Sequence, residues 1–421
     1  MSYRRLVFEF TLTFIAIAVI GNVTTTANEQ IAIPVDGQSF VGTVSQFVGD
    51  GIIKFDTEDG PREVAASDLV RWGIVPALSR GPLIVLANGS VLVADVKGIE
   101  NSLLTAESFL FGEFRLPMAS VRGIVFRVPA DGTVRFQELQ NIKAAKGSRD
   151  QLLFENGDRL DGVLLGGGRE SAQGPTTHEV IKRLESLRMH TEAGDVDIPI
   201  DRITSIVFNP SLVEDFKPNG LQAWFGFRED GLLLVEKIEP SANTLTLGLP
   251  GRIELQTDVE VFRETLQFVQ PLGGRAVYLS DLSPVGYRHI PYLSLEWRYG
   301  EDQNVLGGPL MSKERNFLKG LGMHSTSRLA YRLDRAYERF EAELALDDRA
   351  GEGGSVVYRV YTMDDSNAWK SIYESPIVRG GDAPLPISVS LEGARGIALI
   401  ADFSDRGDVQ DYANWLDARL E

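Results

Sequence analysis

The sequence predicts an all-β protein: a C-terminal jelly-roll β-sandwich preceded by repeated small SH3-like or Sm-like β-barrel units. Three observations predict it. Glycine is abundant, at 42 of 421 residues, and helix formers nowhere run long without interruption, as expected of short strands joined by many turns. An acidic or amide residue precedes glycine at Asp36-Gly37, Asn88-Gly89, Asn156-Gly157 and Asp230-Gly231, and apolar–polar alternation follows each pair. From Val277 onward the alternating segments follow one another closely, and three of the five tryptophans (Trp297, Trp369 and Trp415) fall there.

The length exceeds what one core usually fills, so several domains are expected. There are no cysteines, which excludes disulfides, thiolate metal sites, a cysteine nucleophile and a lipidated-cysteine anchor. The net charge is −17. Removing residues 1–27, which hold Arg4, Arg5 and Glu9, leaves −18 (−17 minus +1). A field of that sign repels polyanions, so nucleic acid is not an expected partner and anionic membranes are disfavoured. Neutral sugars and divalent cations remain open.

Residues 1–27 read as an export signal: a short basic start to Arg5, the apolar run Phe10 to Ile20, then the small residues Thr25-Thr26-Ala27 before Asn28. The rival reading, a membrane anchor, has too short an apolar run to span ~30 Å of hydrocarbon. The expected location is outside the cytoplasm: periplasm, cell surface or medium.

Residues 28–80, 81–132, 151–212 and 213–270 read as four small barrel units. Asn-Gly and Asp-Gly tolerate positive φ and close tight hairpins, and period-two alternation places one face of each strand on a core. The unit endings recur, Val121 to Phe126 (VRGIVF) matching Ile203 to Phe208 (ITSIVF), and in the fourth unit RIELQTDVEVF reads as a strand. Units this small are expected to pack on one another. Residues 133–150 contain the best helix candidate, Thr133 to Gly147, as a linker. The third unit carries an insertion near Gly166 to Arg183. The units read either as a platform for envelope proteins or as a spacer that presents the last domain.

In the remaining domain, residues 271–421, strands follow from alternation: Leu329-Tyr331-Leu333, Phe340-Ala342-Leu344-Leu346, Val356-Tyr358-Val360, Ile387-Val389-Leu391 and Ile397-Leu399-Ala401. Short strands separated by turns imply a sandwich. Five blocks then carry a resemblance: VYLSDLSPVGY (Val277 to Tyr287), FLKGLGMHSTSRLAYRL (Phe317 to Leu333), RFEAELALDD (Arg339 to Asp348), GSVVYRVYTMDD (Gly354 to Asp365) and DYANWLDARL (Asp411 to Leu420). In this order they resemble the NPCBM family of carbohydrate-binding modules found beside glycoside hydrolases. The resemblance implies a galactose-binding-like jelly roll, secretion, galactose-containing glycans as ligands and a structural calcium.

Candidate ligand residues are Trp297, Tyr299, His324 and Trp369. Sugar rings have apolar C–H faces that stack on aromatics, with polar groups at the rim fixing orientation. Trp297 alternates with Leu295 and Tyr299, as on one strand face; Trp369 follows the polar turn Asp364-Asp365-Ser366-Asn367. His324 reads either as hydrogen-bonded structure, the commoner role of a lone histidine beside a strand, or as a ligand contact. Trp415 reads as core. Asp402, Asp405 and Asp408, with Asp411 nearby, offer hard oxygen ligands of the kind calcium takes; the other reading is a solvated acidic loop. No nucleophile, zincin or P-loop motif is present, and the four histidines lack metal-ligand spacing. The expected function is exported, non-catalytic glycan binding. The alternative is a protein-interaction scaffold whose jelly roll binds no sugar.

Overall fold

The computed structural model describes residues 30–48, 51–78, 80–168, 184–214, 216, 220–228 and 230–421. The expected export signal, residues 1–27, and most of the Gly166 to Arg183 insertion lie outside them.

Ahead of the C-terminal domain one pattern occurs four times. Unit 1 comprises Ile31–Pro34 (β1), Phe40–Val41 (β2), Thr43–Val48 (β3), Ile52–Thr57 (β4), Gly60–Ala65 (β5) and Leu69–Gly73 (β6). Unit 2 comprises Leu83–Leu86 (β7), Val91–Val93 (β8), Asp95–Glu100 (β9), Leu103–Ser108 (β10), Gly112–Pro117 (β11) and Val121–Val125 (β12), followed by the helix Gly132–Ala144 (α1). Unit 3 comprises Asp150–Phe154 (β13), Arg159–Gly167 (β14), Ser186–Thr191 (β15), Gly194–Pro199 (β16) and Ile203–Val207 (β17). Unit 4 comprises Gln222–Phe227 (β18), Gly231–Val235 (β19), Lys237–Ser241 (β20), Thr244–Leu249 (β21), Ile253–Asp258 (β22), the helix Val259–Thr265 (α2) and Leu266–Leu272 (β23).

In every unit the first strand pairs with the second on one side and with the last on the other. A 3₁₀ turn precedes the last strand in units 1 to 3. In unit 4 that place is taken by α2, which corrects the strand reading of RIELQTDVEVF: Asp258 accepts from the backbone N–H groups of Glu260 and Val261 and starts a helix where the alternation would have continued. The linker helix α1 forms as expected, capped by Asp131, and buries Leu139 and Ile142.

The units join through antiparallel ladders: β6 to β23, β19 to β8 and β12 to β17. Their order in space is therefore 1, 4, 2, 3, along one sheet running β2-β1-β6-β23-β18-β19-β8-β7-β12-β17-β13-β14, which continues from β14 through β15 to β16 and, by a bridge from Gly167 to Ile99, through β9 to β10 and β11. At the junction of units 4 and 2 a Cβ on Gly231 would stand 2.1 Å from the Val91 carbonyl oxygen, at φ +124°, so only glycine permits the approach. Polar ties cross that junction both ways. Asn88 donates to the Pro250 carbonyl, Leu234 N–H donates to Ser90 Oγ, and Leu110 N–H donates to Asp230.

The C-terminal domain is a two-sheet sandwich. Its strands are Val277–Tyr278 (β24), Gly286–His289 (β25), Gly300–Glu301 (β26), Leu310–Ser312 (β27), Arg315–Phe317 (β28), Gly320–His324 (β29), Ser327–Arg332 (β30), Arg339–Leu346 (β31), Ser355–Met363 (β32), Trp369–Glu374 (β33), Val378–Arg379 (β34), Leu385–Ser390 (β35), Gly396–Phe403 (β36) and Tyr412–Leu420 (β37). One sheet runs β26-β29-β37-β31-β35 and the other β25-β30-β36-β32-β33. The alternating apolar residues named from the sequence are buried between them, and Trp415, fully buried, meets Tyr358 edge-on at 5.0 Å. Because β23 extends to Leu272 inside unit 4, the sandwich begins a few residues after the expected boundary at 271.

A charged seam holds sandwich and array together. Arg71 on β6 is buried; its Nε bonds Asp417 at 2.6 Å and its Nη2 bonds Glu343 at 3.0 Å. Asp417 has φ +48° and lies where the β31–β37 register slips, a bulge that turns its carboxylate out of the ladder. Gln270 of β23 donates to Tyr278, whose hydroxyl donates to the Val70 carbonyl. Val35, Val70 and Tyr278 form a small apolar cluster beside these bonds.

Candidate functional site

Aromatic side chains gather at the end of the sandwich where β29 turns into β30, between the segment 290–299 and the loop 404–411. Trp297 stacks flat on His324, with centroids 4.6 Å apart and planes 3° from parallel. Tyr412 leans against both, and His289 meets His324 edge-on at 5.9 Å. Beyond them Tyr292 and Phe403 form a T-shaped pair at 5.9 Å and are 61% and 45% exposed. Leu293 and Leu295 are exposed beside them.

Hydrogen bonds set the histidine tautomers. His289 Nδ1 accepts from the Trp297 N–H, so its Nε2 carries the proton and donates to the Ser325 carbonyl. His324 Nδ1 donates to the same carbonyl. Burial holds the His324 pKa below its ordinary value, so the ring is neutral near pH 7 and its Nε2 is an acceptor. Tyr287 ties the segment down by donating to the Trp297 carbonyl at 2.8 Å.

The carboxylates of this end are engaged. Asp411 is buried and accepts from Ser325 Oγ at 2.5 Å and Ser355 N–H at 2.8 Å; burial pushes its pKa up to about 6. Asp402 accepts from Thr326 Oγ1 at 2.6 Å and pairs with Arg359 at 2.5 Å. Asp405 forms a two-pronged pair with Arg379, whose hydrogen bonds bring its pKa down to about 2. The expectation that Asp402, Asp405 and Asp408 share a calcium is therefore corrected. Two of them face their own arginines, and no group of three His, Asp or Glu able to hold a metal exists among the described residues. The residues present do not fit that ion.

The four expected ligand residues do not share one place. Trp297 and His324 are together. Tyr299 packs on Tyr287 at 4.9 Å and donates to Glu301, and burial pushes its hydroxyl pKa up to about 12. The strand expected to carry Leu295, Trp297 and Tyr299 on one face is absent; this stretch is irregular, with β26 starting only at Gly300, and side-chain bonds rather than a ladder hold it. Trp369, 44% exposed, opens the edge strand β33 opposite Met363 and lies over Gly396, the first residue of β36. Ser327, beside the His324 turn, pairs with Ala401 near the other end of β36. Five residues of strand, roughly 17 Å, separate the two positions. Tyr292, Phe403, His289 and Tyr412 were missed by sequence reasoning. The only signal was the aromatic density of HIPYLSLEWRY itself.

The fold and this aromatic end define the class: a jelly-roll module with an open, partly apolar end and no strand ladder closing it. Residues 275–421 match the family described as NPCBM/NEW2 domain, so the C-terminal part of the chain is an NPCBM domain. A curated relative is named "Putative endo-alpha-N-acetylgalactosaminidase", from Renibacterium salmoninarum. It is 31% identical over 121 residues, which are 29% of this chain and 8% of that protein. The chain thus spans less than a tenth of that relative's length. Among solved structures, the chain resembles the CBM51 of Clostridium perfringens GH95 in complex with methyl-galactose, at 21% identity and TM-score 0.30, over 35% of this chain and 99% of that one. It also resembles the CBM51-2 and INT domains of Clostridium perfringens ZmpB, at 19% identity and TM-score 0.31, over 44% and 39%. No described helix is long and apolar enough to cross a membrane.

Proposed function

We propose that this is an exported, non-catalytic glycan-binding protein whose NPCBM domain takes a sugar at the Trp297–His324 end. The single observation that carries the reading is the match of residues 275–421 to that domain family. The geometry supports it. Tyr292 and Phe403 offer exposed ring faces for the C–H face of a sugar. His324 Nε2 can accept a hydroxyl proton, and Trp297 is held rigid by bonds at its own N–H and carbonyl, so little side-chain freedom is lost on binding. A non-catalytic role fits the carboxylates: Asp402 and Asp411 are fully engaged by neighbours rather than poised across a cleft. The relatives' printed ligands make galactose-type and N-acetylhexosamine-containing glycans the first to try. Glycan-array binding of the whole protein tests this, with Trp297→Ala and Tyr292→Ala as site variants. Binding that both variants weaken supports the reading; no binding to any glycan rejects it.

A second reading is a protein-interaction scaffold of the cell envelope. It is favoured by Leu293 and Leu295, at 85% and 65% exposed, because bare aliphatic side chains suit a protein surface better than a sugar hydroxyl. Export itself is tested by fractionating cells and sequencing the N-terminus, which should begin near Asn28.

A further inference from the structure

The sandwich turns the sheet holding β31 and β37 toward Arg71 of the array, which leaves the sheet β25-β30-β36-β32-β33 on its far side. The alternation that buries Leu329 and Tyr331 sends Arg328, Ala330 and Arg332 to the outer face of that far sheet. The ladder registers set their neighbours. Arg288, on the edge strand β25, stands directly opposite Arg328. The next row across the strands is Gly286, Ala330, Ala398 and Tyr361. Arg332 and Gly396 lie in the row beyond. Three of the four residues in the middle row carry a methyl group or less, and the space above Gly286 is open. A shallow trough therefore crosses the sheet, roughly 14 Å long from β25 to β32 and with banks roughly 13 Å apart. Arg288 and Arg328 stand on one bank, Arg332 on the other, and the half-buried Tyr361 closes the far end.

The charges on this face are unequal. Arg359 is held by Glu374 and Asp402, and Arg395 by Asp365. Arg288, Arg328 and Arg332 are exposed and have no carboxylate partner among the described residues. Like charges set directly opposite each other on neighbouring strands cost stability. The fold alone would be better served by an acid at position 288 or 328, and this chain, at net charge −17, has acids to spare. Fields fade over about 8 Å at physiological salt, so close to the trough these three cations outweigh the distant acids.

We infer that this trough binds an acidic oligosaccharide, its rings lying across the strands over Ala330 and Ala398 and its carboxylate or sulfate groups on Arg288, Arg328 and Arg332. Arginine forks grip either anion with two parallel bonds, and Tyr361 offers ring surface to a sugar C–H face. A short acidic glycan meets only the arginines, whereas a long polyanion such as nucleic acid also meets the repulsive field of the whole chain. The surface is separate from the Trp297–His324 end. Arg288 and Arg328 adjoin His289 and Ser327 in sequence, but alternation points them to the opposite face. The inference stands whether or not the aromatic end takes a sugar.

The test is calorimetric titration of the whole protein with an oligogalacturonate, which carries carboxylates, a carrageenan oligosaccharide, which carries sulfates, and a neutral galactan oligosaccharide of equal length. At least one acidic probe should bind, and more weakly as salt rises; the one that binds names the anion. Arg328→Ser and Arg332→Ser should each weaken that binding roughly tenfold. Ala330→Glu, which puts an acid in the trough, should weaken it as well, and Trp297→Ala should leave it in place. Thermal melting of the variants checks that they remain folded. Failure of both acidic probes to bind overturns the inference. So does binding that the folded arginine variants leave unchanged, or that Trp297→Ala removes. Single-stranded DNA binding as tightly as the acidic sugars also overturns it, because the sugar would then play no part in recognition. Aggregation of Arg288→Ser without any acidic sugar bound by the wild type assigns the arginines instead to guarding the β25 edge.

Discussion

Within the N-terminal array, units meet by pairing strands, and buried polar side chains such as Asn88, Ser90 and Asp230 bond across the junctions. The sandwich meets the array differently. Neither of its main sheets adds a strand to the array; side chains from β31 and β37 reach Arg71 and Arg339 reaches the β1 hairpin. The difference separates the surfaces that hold the chain together from the end left open. The array joins its units edge to edge through β6–β23, β19–β8 and β12–β17. The sandwich docks one sheet and leaves its aromatic end facing solvent.

Substitutions can break this contrast in order of expected size. Arg71→Ala should have the largest effect, about 3–5 kcal/mol, because it leaves the buried Asp417 carboxylate without its partner; chemical denaturation should then show the sandwich and array unfolding separately. Gly231→Ala drives a methyl group into the Val91 carbonyl and should cost roughly 2–4 kcal/mol, with the loss confined to the transition of the array. Trp297→Ala should weaken glycan binding about tenfold or more while leaving both transitions nearly in place. Asp411→Asn sharpens the comparison through pH. The folded pKa of Asp411, about 6, lies above the ordinary 3.8, so between pH 4 and 6 the native state holds a proton that the unfolded state lacks. Its stabilising contribution is therefore present below about pH 4 and lost as pH rises through 6, by on the order of 1–2 kcal/mol. The melting temperature of Asp411→Asn relative to wild type should rise by a few degrees from pH 4 to pH 7. Trp369→Ala should change least, leaving glycan affinity within about twofold; a larger loss would move the site to the β33 edge.

Much of the sandwich was legible because its information is local and periodic. Leu329, Tyr331, Phe340, Val356 and Leu399 alternate in sequence and are all buried. The turn pairs Asn88-Gly89 and Asn156-Gly157 mark hairpins for a similarly local reason, since both glycines have positive φ. What escaped the sequence depends on partners far along the chain. The 1, 4, 2, 3 order rests on ladders between strands far apart in the chain, such as β8 with β19, which no local pattern encodes. The helix α2 was mistaken for a strand because Val259 and Val261 continue the alternation of β22, while the capping carboxylate of Asp258 decides otherwise. Trp297 and Trp369 were both candidate sugar contacts, and their separation follows from β36, which has Trp369 over Gly396 and the turn after His324 beside Ala401. The three aspartates looked like a cation site because sequence spacing is blind to Arg359 and Arg379.

The bulge at Asp417 also bears on inheritance. A domain that passes between genes as a self-contained cassette needs a surface that is acceptable in any company. Here one backbone irregularity commits a carboxylate of the NPCBM domain to an arginine encoded 346 residues earlier. A recipient lacking an equivalent of Arg71 would receive a domain with an unsatisfied acid on its flank. The two halves of this protein are thus bound to diverge together, and substitutions at position 71 and position 417 should be found paired.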